Sequence, residues 1–314
     1  MSDYIIRRLL LAVPTLALVM LMVFSIIRLI PGDIVDVMVS EQAYAADKEA
    51  MREELGLNDP VYQEFGRWLW ALAHGDLGQS LWTKQPVIEE LKNRFPVTAE
   101  LGLYSILVGL IIALPVGVLS AIRQDTLTDY VARSFAIAGI SVPYFWTATL
   151  VIVFMPLWFD WSPPLRYVGW SEGPLDHLYV FLVPAILLGM YLSGSVMRMT
   201  RTMMLEVLRQ DYVRTAWAKG LSERVVVLRH ALKNALIPVV TIVGLQLAAA
   251  VSGTVIIESI FNLPGVGRYF YEAIVFRDYP SIQGTALIIA VAVVLINIVV
   301  DVTYAYLDPR IRYR

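Results

Sequence analysis

Six long apolar segments recur along this sequence, and they constrain its fold more than any other feature. They cover residues 9–27, 101–122, 134–159, 178–197, 235–257 and 284–305. A helix of about 20 residues crosses the roughly 30 Å of hydrocarbon in a bilayer. Charged residues make up only 17% of the chain, against about 25% in soluble domains. The sequence therefore predicts an all-α integral membrane protein with six transmembrane helices.

Prolines fall within five of these segments, at Pro14, Pro115, Pro143, Pro184 and Pro238. Membrane helices tolerate proline because neighbouring groups satisfy the freed backbone atoms. Either simple tolerance or functional kinks would explain them.

The first segment follows Arg7 and Arg8 and is longer than the 7–15 apolar residues of a signal peptide. No small-x-small cleavage site follows it, so we expect an uncleaved membrane anchor.

The distribution of Lys and Arg predicts the orientation of the spans, because cytoplasmic loops carry an excess of both. The loops on one side are the N-terminus, 123–133, 198–234 and 306–314, and together they hold fifteen Lys/Arg. The short loops on the other side carry only Arg166, Arg268 and Arg277. We therefore expect a multi-pass protein with both termini in the cytoplasm.

The long loop 31–99 would then lie outside the cytoplasm. Stretches such as DKEAMREELGL and PVYQEFGRWLWALAHG have apolar residues at helical spacing, and Trp68, Trp70 and Trp82 suit a membrane interface. The loop has 12 acids and 6 bases, which fits either a docking surface for a partner or cationic ligand, or a solvated face. The sequence thus divides into 1–30 (tail and first helix), 31–99 (extracytoplasmic loop) and 100–314, a five-helix core with the cytoplasmic loop 198–234.

Several kinds of protein are disfavoured. The chain has no Cys, and His74, His177 and His230 are scattered, so we expect no metal site and ordinary polar loop roles for the histidines. No Gly precedes a Lys, which excludes the Gly-x-x-x-x-Gly-Lys phosphate loop. A membrane enzyme would need a catalytic constellation that we do not find.

A channel or ion-coupled carrier acting alone would need charges or a selectivity motif inside the membrane. Glu100, Glu258 and Asp301 lie near the ends of the spans, and no convincing internal repeat appears. A membrane domain with no visible energy source points to energy supplied by a partner.

One basic segment, DYVRTAWAKGLSERVVVLRHALKNALIP at 211–238, separates two apolar runs. Asp211 can cap a short helix, and Gly220 can end it in the left-handed conformation. Ser222 can cap a second helix that passes His230 and enters the span near Pro238. The segment predicts helix, glycine break and helix on the cytoplasmic side.

Residues on one face of the first helix are spaced at i, i+3, i+4 and i+7: Tyr212, Thr215, Ala216 and Lys219. The small Thr215 and Ala216 would let that face enter a partner's groove closely.

This segment resembles the "EAA" loop of ABC importer permeases. Where the general pattern has Glu-Ala-Ala, three residues and Gly, this chain has Arg214-Thr215-Ala216, three residues and Gly220, and its Ile237-Pro238 lies later than usual. The peptide-importer branch is more similar, through DYVRTAWAKGLSE, RHALKNALIP, ESIFNLPGVGRYFYEAI at 258–274, RDYPSIQG at 277–284 and the stretches at both termini. The chain resembles the first permease subunit of dipeptide, oligopeptide and nickel ABC importers from end to end.

The resemblance implies a type I importer permease fold in a prokaryotic cytoplasmic (inner) membrane, and a transport subunit rather than an enzyme. It implies a second homologous permease, two cytoplasmic ATP-binding subunits and an extracytoplasmic substrate-binding protein. ATP and Mg would bind those ATPases, and this chain would hold no cofactor. Membrane lipid is expected as a partner and nucleic acid is not.

By the same resemblance, residues 209–221 would form the coupling helix in a groove of an ATPase, with Asp211, Tyr212, Arg214, Thr215, Ala216, Lys219 and Gly220 as its contact residues. Arg214 and Lys219 would bind the ATPase or simply anchor the loop beside the membrane.

Two further sets of residues are candidates for the transport path. Pro264, Gly265 and Gly267 mark a turn. By the same resemblance it would belong to a partly re-entrant helix that borders an outer gate, and the alternative is an interfacial loop. Gln246, Ser252 and Asn297 are polar within apolar spans. They would line the path or form interhelical hydrogen bonds.

The resemblance suggests peptides as cargo and leaves nickel chelates or oligosaccharides as alternatives.

Overall fold

A computed structural model describes residues 2–29, 32–38, 45–55, 57–164 and 166–307. Within these ranges the chain is helical, and its only β-pairing is an isolated bridge between Gln79 and Pro86. The helices are α1 (Ser2–Leu29), α2 (Ile34–Met38), α3 (Ala45–Glu54), α4 (Val61–Ala73), α5 (Val87–Ile122), α6 (Leu127–Ser141), α7 (Tyr144–Phe159), α8 (Pro174–Leu208), α9 (Asp211–Ala218), α10 (Glu223–Val225), α11 (Leu232–Ile260), α12 (Val266–Val275) and α13 (Tyr279–Leu307).

The six predicted apolar segments correspond to the long helices. Five helices of the described chain are long and apolar enough to cross a membrane by themselves, and a sixth span is obtained if the bent pair α6 and α7 counts as one. The all-α membrane fold is confirmed. The prediction that loop 31–99 is partly helical is also confirmed, because α2, α3 and α4 lie within it.

The third span differs from the prediction of one continuous segment over 134–159. Its two helices meet at 90°. Val142 between them is extended, with φ −89° and ψ 120°, and Pro143 precedes the first turn of α7. Proline disfavours helical backbone in the residue before it. Pro14, Pro184 and Pro238 lie inside their helices without a comparable break.

The chain contacts define two compact units, which we call the core unit (99–263 and 295–307) and the loop unit (2–98 and 264–294). The three-part division drawn from the sequence stays a prediction.

In the core unit, α8 packs against α6 and α11, and glycines bring it close to α5 and α6. A Cβ on Gly189 would lie 2.7 Å from the carbonyl oxygen of Ser105, and one on Gly194 would lie 2.8 Å from that of Ala136. Only glycine allows backbones to approach this closely, as in many membrane helix pairs.

One buried carboxylate, that of Asp278, connects two segments of the loop unit. Asp278, just before α13, accepts hydrogen bonds from the hydroxyls of Ser80 (2.5 Å) and Ser281 (2.7 Å) and from the backbone N–H of Leu81 (3.0 Å). Buried polar groups are costly unless they are paired, so this set of bonds fixes the loop around Ser80 to the start of α13. An apolar cluster lies in the same unit: Leu77, Val87, Leu91, Val266, Tyr269 and Leu287.

Candidate functional site

The basic segment predicted to couple to a partner folds as a short helix, α9. Its capping position is Gln210, which is extended at φ −73° and ψ 149°, and Asp211 is the first helical residue. The prediction that Asp211 caps the helix is therefore wrong by one position. The chain turns into the helix at Gln210, and the exposed Asp211 carboxylate lies beside the partly positive N-terminus, 3.3 Å from Arg214 Nη1.

The end of α9 forms as the sequence predicted. Gly220 has φ +78°, in the left-handed region, and its N–H donates to the carbonyl of Trp217 at 2.9 Å. A Cβ at Gly220 would meet nothing within 4 Å. Glycine is thus required here by backbone conformation and not by packing.

Ser222 begins the next helix, which confirms the predicted break. Its carbonyl accepts from the N–H groups of Val225 and Val226. The helix then contains a π-helical turn, Val226–Ala231, before α11 starts at Leu232. The sequence did not indicate this π turn, a feature that occurs frequently at functional sites.

One face of α9 is buried within the chain itself. Val213 and Ala216, three residues apart, pack with Val226 against Val207 and Leu208. Ala216 is only 5% exposed. The expectation that Ala216 enters a partner's groove is therefore corrected: a small apolar residue on this face allows α9 to lie close to its own protein.

The rest of the α9 surface is exposed, and we call it the outer face. Arg214 and Thr215 lie away from the buried residues, whereas Tyr212 and Trp217, each 44% exposed, lie at the two edges of the outer face, with Lys219 near Tyr212. The Tyr212 hydroxyl accepts from Asn234 Nδ2 at 2.8 Å, so one side chain of this face is positioned by α11. Trp217 was not among the predicted residues, although a tryptophan amid polar residues was a usable signal.

The helix that leads into α9 is fixed by a buried ion pair that the sequence did not reveal. Arg201 on α8 donates from Nε and Nη2 to the two carboxylate oxygens of Asp129 on α6, each at 2.8 Å. Asp129 also accepts from the Ser120 hydroxyl and, at 3.0 Å, from the backbone N–H of Asp125. These bonds connect α5, α6 and α8 at the end of α8 that continues into α9.

An apolar cluster includes Ala121 and Met204, which are close in sequence to Ser120 and Arg201. Its buried members are Ala121, Met204, Val227, Ala231 and Ala235. It joins α5, α8, the π turn and α11. The short helix α9 therefore lies next to a closely packed region of the core unit.

The polar residues proposed for the path lie on different helices. Gln246 on α11 lines a small cavity with Gly109 and Leu192, and its buried Oε1 has no hydrogen-bond partner among the described residues. Asn297 on α13 is half-buried. The side chain of Ser252 lies outside the described residues. A role of the three in the path stays a prediction.

The predicted turn at Pro264, Gly265 and Gly267 leads into a helix. Gly265 occupies the capping position of α12, and Gly267 is buried in its first turn. The N–H of Val266 donates to the Thr98 hydroxyl at 2.8 Å, which fixes the start of α12 in the loop unit. A gating role for these residues stays a prediction.

His177 is not the ordinary loop residue expected from the sequence. It lies fully buried in the first turn of α8, with Nε2 2.7 Å from Glu100 Oε2 and Nδ1 2.8 Å from the carbonyl oxygen of Val168. Trp170 Nε1 donates to the other Glu100 oxygen at 3.1 Å. Burial raises the pKa of the nearby Tyr167 phenol, and the Glu100 carboxylate adds to the shift. The cluster fixes the loop that precedes α8.

Across the described residues, no group of three or more His, Asp or Glu side chains could hold a metal ion. The apolar spans and the basic loop with its short helix α9 define a multi-span helical membrane protein.

The chain belongs to the family of binding-protein-dependent transport system inner membrane components. That family matches residues 113–313, and its N-terminal counterpart matches residues 1–102. This protein is therefore a multi-pass permease subunit of the inner membrane.

Curated relatives match from end to end. The chain is 40% identical to the dipeptide transport system permease protein DppB of Alkalihalophilus pseudofirmus and 36% identical to DppB of Escherichia coli K12, covering 100% of both chains in each case.

Solved structures show the type I ABC importer permease fold. The methionine ABC transporter MetNI matches with a TM-score of 0.56 at 19% identity, over 70% of this chain and 96% of that one. An amino acid ABC transporter matches with a TM-score of 0.54 at 13% identity, over 70% and 94%.

Proposed function

We propose that this chain forms half of the translocation path of an ATP-driven importer of short peptides. The named activity of its full-length relatives supports peptide cargo. A second homologous permease would complete the path, and an extracytoplasmic binding protein would deliver the cargo. Two cytoplasmic ATPases would hold ATP and Mg, and this chain would hold no cofactor.

The observation that carries the coupling part of the proposal is the two-sided nature of α9. Its inner face, Val213 and Ala216, is buried in the chain, and its outer face presents Tyr212 and Trp217 between charged residues. Exposed aromatic side chains flanked by charges are typical of the central residues of protein interfaces. The outer face would occupy a groove of the ATPase.

Movement of the ATPases would then reach the spans through two rigid connections. One is the ion pair between Asp129 and Arg201 at the base of α8. The other is the contact of α9 with the π turn before α11. Displacement of α9 would move α8 and α11 together, because both contribute to the same apolar cluster. Both termini and loop 198–234 would lie in the cytoplasm, as the excess of Lys and Arg indicates.

The test reconstitutes the chain with its partner permease, ATPases and binding protein, and measures uptake of a radiolabelled dipeptide and ATP hydrolysis. Trp217→Ala should reduce both by about tenfold or more, as expected for the loss of a central aromatic contact of about 2 kcal/mol. Trp70→Ala is the matched control, since Trp70 is also exposed but lies on α4. Equal activity of both variants would refute the role of α9. Uptake of a nickel chelate or oligosaccharide in place of the dipeptide would refute peptide cargo.

A further inference from the structure

The bent pair α6 and α7 forms one side of a cavity of about 210 Å³, and α8 forms the other side. All of its lining residues belong to the core unit, and they include Phe135, Gly139, Tyr144, Met190 and Tyr191. Pockets that enclose a whole drug-sized ligand measure roughly 300–1,000 Å³. This cavity therefore has room for one side chain and the backbone next to it.

The break between α6 and α7 indicates that the cavity contains water. The last helical bond of α6 runs from the Val142 N–H to the Ala138 carbonyl, at 3.0 Å. Pro143 has no N–H, so the Gly139 carbonyl receives no helical bond. The break falls inside the apolar segment 134–159, where non-helical backbone is tolerated only if protein buries it or a water-filled cavity adjoins it. Pro143 is exposed and Gly139 is half-buried, and Gly139 and Val142 line the cavity.

Two tyrosine hydroxyls of the cavity wall are available to a bound molecule. Tyr144 on α7 and Tyr191 on α8 have ring centroids 5.2 Å apart. Neither hydroxyl has a hydrogen-bond partner in the part of the chain that the structure describes. Tyr191 is 36% exposed, and the Tyr144 hydroxyl is not enclosed by protein atoms.

The position of these tyrosines argues against a wall that faces lipid. Tyrosines that contact lipid are enriched at the two membrane interfaces, where the hydroxyl reaches water. Tyr144 and Tyr191 instead lie inside the apolar segments 134–159 and 178–197. A hydroxyl without a hydrogen-bond partner is costly in hydrocarbon, so both need a polar partner within the membrane.

The rest of the cavity wall suits apolar side chains of different shapes. Phe135 and Met190 contribute apolar surface, and the flexible thioether of methionine adapts to different partners. Tyr144 is held in place because it packs against buried Leu188 and Leu192. A ligand that fits combines an apolar side chain with groups that donate and accept hydrogen bonds. A residue of a short peptide has both, whereas an acyl chain offers nothing to the hydroxyls.

We propose that this cavity is a contact site for the peptide on its way through the membrane, an inference that rests on the proposed function. The hydroxyls of Tyr144 and Tyr191 bind amide and carbonyl groups of the peptide backbone, and an apolar side chain of the cargo contacts Phe135 and Met190. Every peptide carries the backbone groups, so the site accepts peptides of different sequence. Broken membrane helices form substrate sites in other transporter folds as well.

The first test measures uptake of radiolabelled alanyl-phenylalanine by the complete transporter in proteoliposomes. Tyr144→Phe and Tyr191→Phe each remove one hydroxyl and keep the ring. We expect uptake at subsaturating dipeptide to fall about fivefold in each variant, as for the loss of one hydrogen bond, and about twentyfold in the double variant. The control Tyr130→Phe, on an exposed tyrosine of α6 outside the cavity, should take up dipeptide like the wild type.

ATP hydrolysis stimulated by the loaded binding protein separates contact with the cargo from a structural role. We expect hydrolysis in all variants to stay within about twofold of the wild type, because the hydroxyls bind cargo and not protein. Wild-type uptake by the double variant, or hydrolysis that falls in parallel with uptake, would overturn the proposal. Absence of dipeptide uptake by the wild type would refute the proposed function, and this inference with it.

A second test asks whether water fills the cavity. This chain has no cysteine, so Ala138→Cys places a single thiol in the cavity wall. The thiolate is the reactive form, and apolar surroundings disfavour it. We expect a charged methanethiosulfonate reagent to modify Ala138→Cys in the assembled transporter but not the control Leu157→Cys, an exposed apolar position of α7. An unmodified Ala138→Cys would show that lipid fills the cavity and would overturn the proposal.

Discussion

Arg201 binds the buried carboxylate of Asp129 through two parallel hydrogen bonds of 2.8 Å, across 72 residues of sequence. The pair joins α6 to α8 immediately before the chain continues into α9. Two-pronged binding of this kind fixes orientation as well as distance. We regard this pair as the structural support of α9.

Arg201→Met should destabilise the protein by about 2–3 kcal/mol, because the buried Asp129 carboxylate would lose its bidentate partner. It would keep the Ser120 hydroxyl, the Asp125 N–H and a longer contact with Arg133 at 3.4 Å. Thermal unfolding of the detergent-solubilised chain measures the effect. Arg198→Met is the matched control, since Arg198 is exposed one turn earlier on α8. A destabilisation of the same size in both variants would show that the ion pair contributes nothing specific.

Gly220→Ala should cost about 1 kcal/mol, since an alanine at φ +78° is strained even though its Cβ meets no neighbour. Gly66 also has open space around its Cβ, but it lies inside α4 without a positive φ. Gly66→Ala should therefore be neutral or stabilising by up to about 1 kcal/mol. The unfolding temperatures of the two variants separate the effect of backbone conformation at Gly220 from the general effect of replacing glycine by alanine. We expect Gly220→Ala to unfold at a lower temperature than the wild type, and Gly66→Ala to unfold at the same or a higher temperature. A neutral Gly220→Ala would contradict the left-handed conformation at this position.

Glu100→Ala should lower stability by about 1–3 kcal/mol, because the fully buried His177 would lose a hydrogen-bond partner. The more exposed Trp170 would lose one as well. The control Glu172→Ala removes an exposed ion pair with Arg166 and should change stability by less than about 1 kcal/mol. Thermal unfolding again provides the measurement. If the two variants unfold alike, the His177 cluster does not stabilise the loop before α8.

The absence of cysteine from the sequence makes orientation testable with single introduced thiols. Lys219→Cys should react with a membrane-impermeant maleimide only from the cytoplasmic side, and Arg166→Cys only from the opposite side. Both positions are exposed. Right-side-out and inverted vesicles give the two accessibilities, and labelling of both residues from the same side would contradict the orientation assigned from the Lys and Arg distribution.

The sequence predicted those features that depend on local chemistry. The spans follow from apolar length, and the left-handed conformation of Gly220 follows from residue type. Ser222 occupies the predicted capping position, but its side chain makes no capping hydrogen bond. The 90° break before α7 was not predicted, because Pro184 and Pro238 lie inside helices while Pro143 separates two. What differs is the surrounding packing, which a single sequence does not specify.

The helix α9 was predicted from the sequence, but its packing was not. Ala216 was expected to face a partner, yet it packs against Val226, whose position depends on the π turn. Asp129 and Arg201 lie in segments that were predicted as two separate cytoplasmic loops, 123–133 and 198–234. No local sequence pattern could therefore reveal their ion pair. Burial of His177 likewise depends on Glu100, 77 residues away.

The most direct test of coupling through α9 is cross-linking of single cysteines to the ATPase in the assembled transporter. Trp217→Cys lies on the exposed face, and Ala216→Cys lies one residue away on the buried face. The account predicts that Trp217→Cys forms a cross-link with an ATPase subunit, with a yield that changes on adding ATP, and that Ala216→Cys forms none. A cross-link from Ala216→Cys, or none from Trp217→Cys in an assembled and active complex, would contradict it.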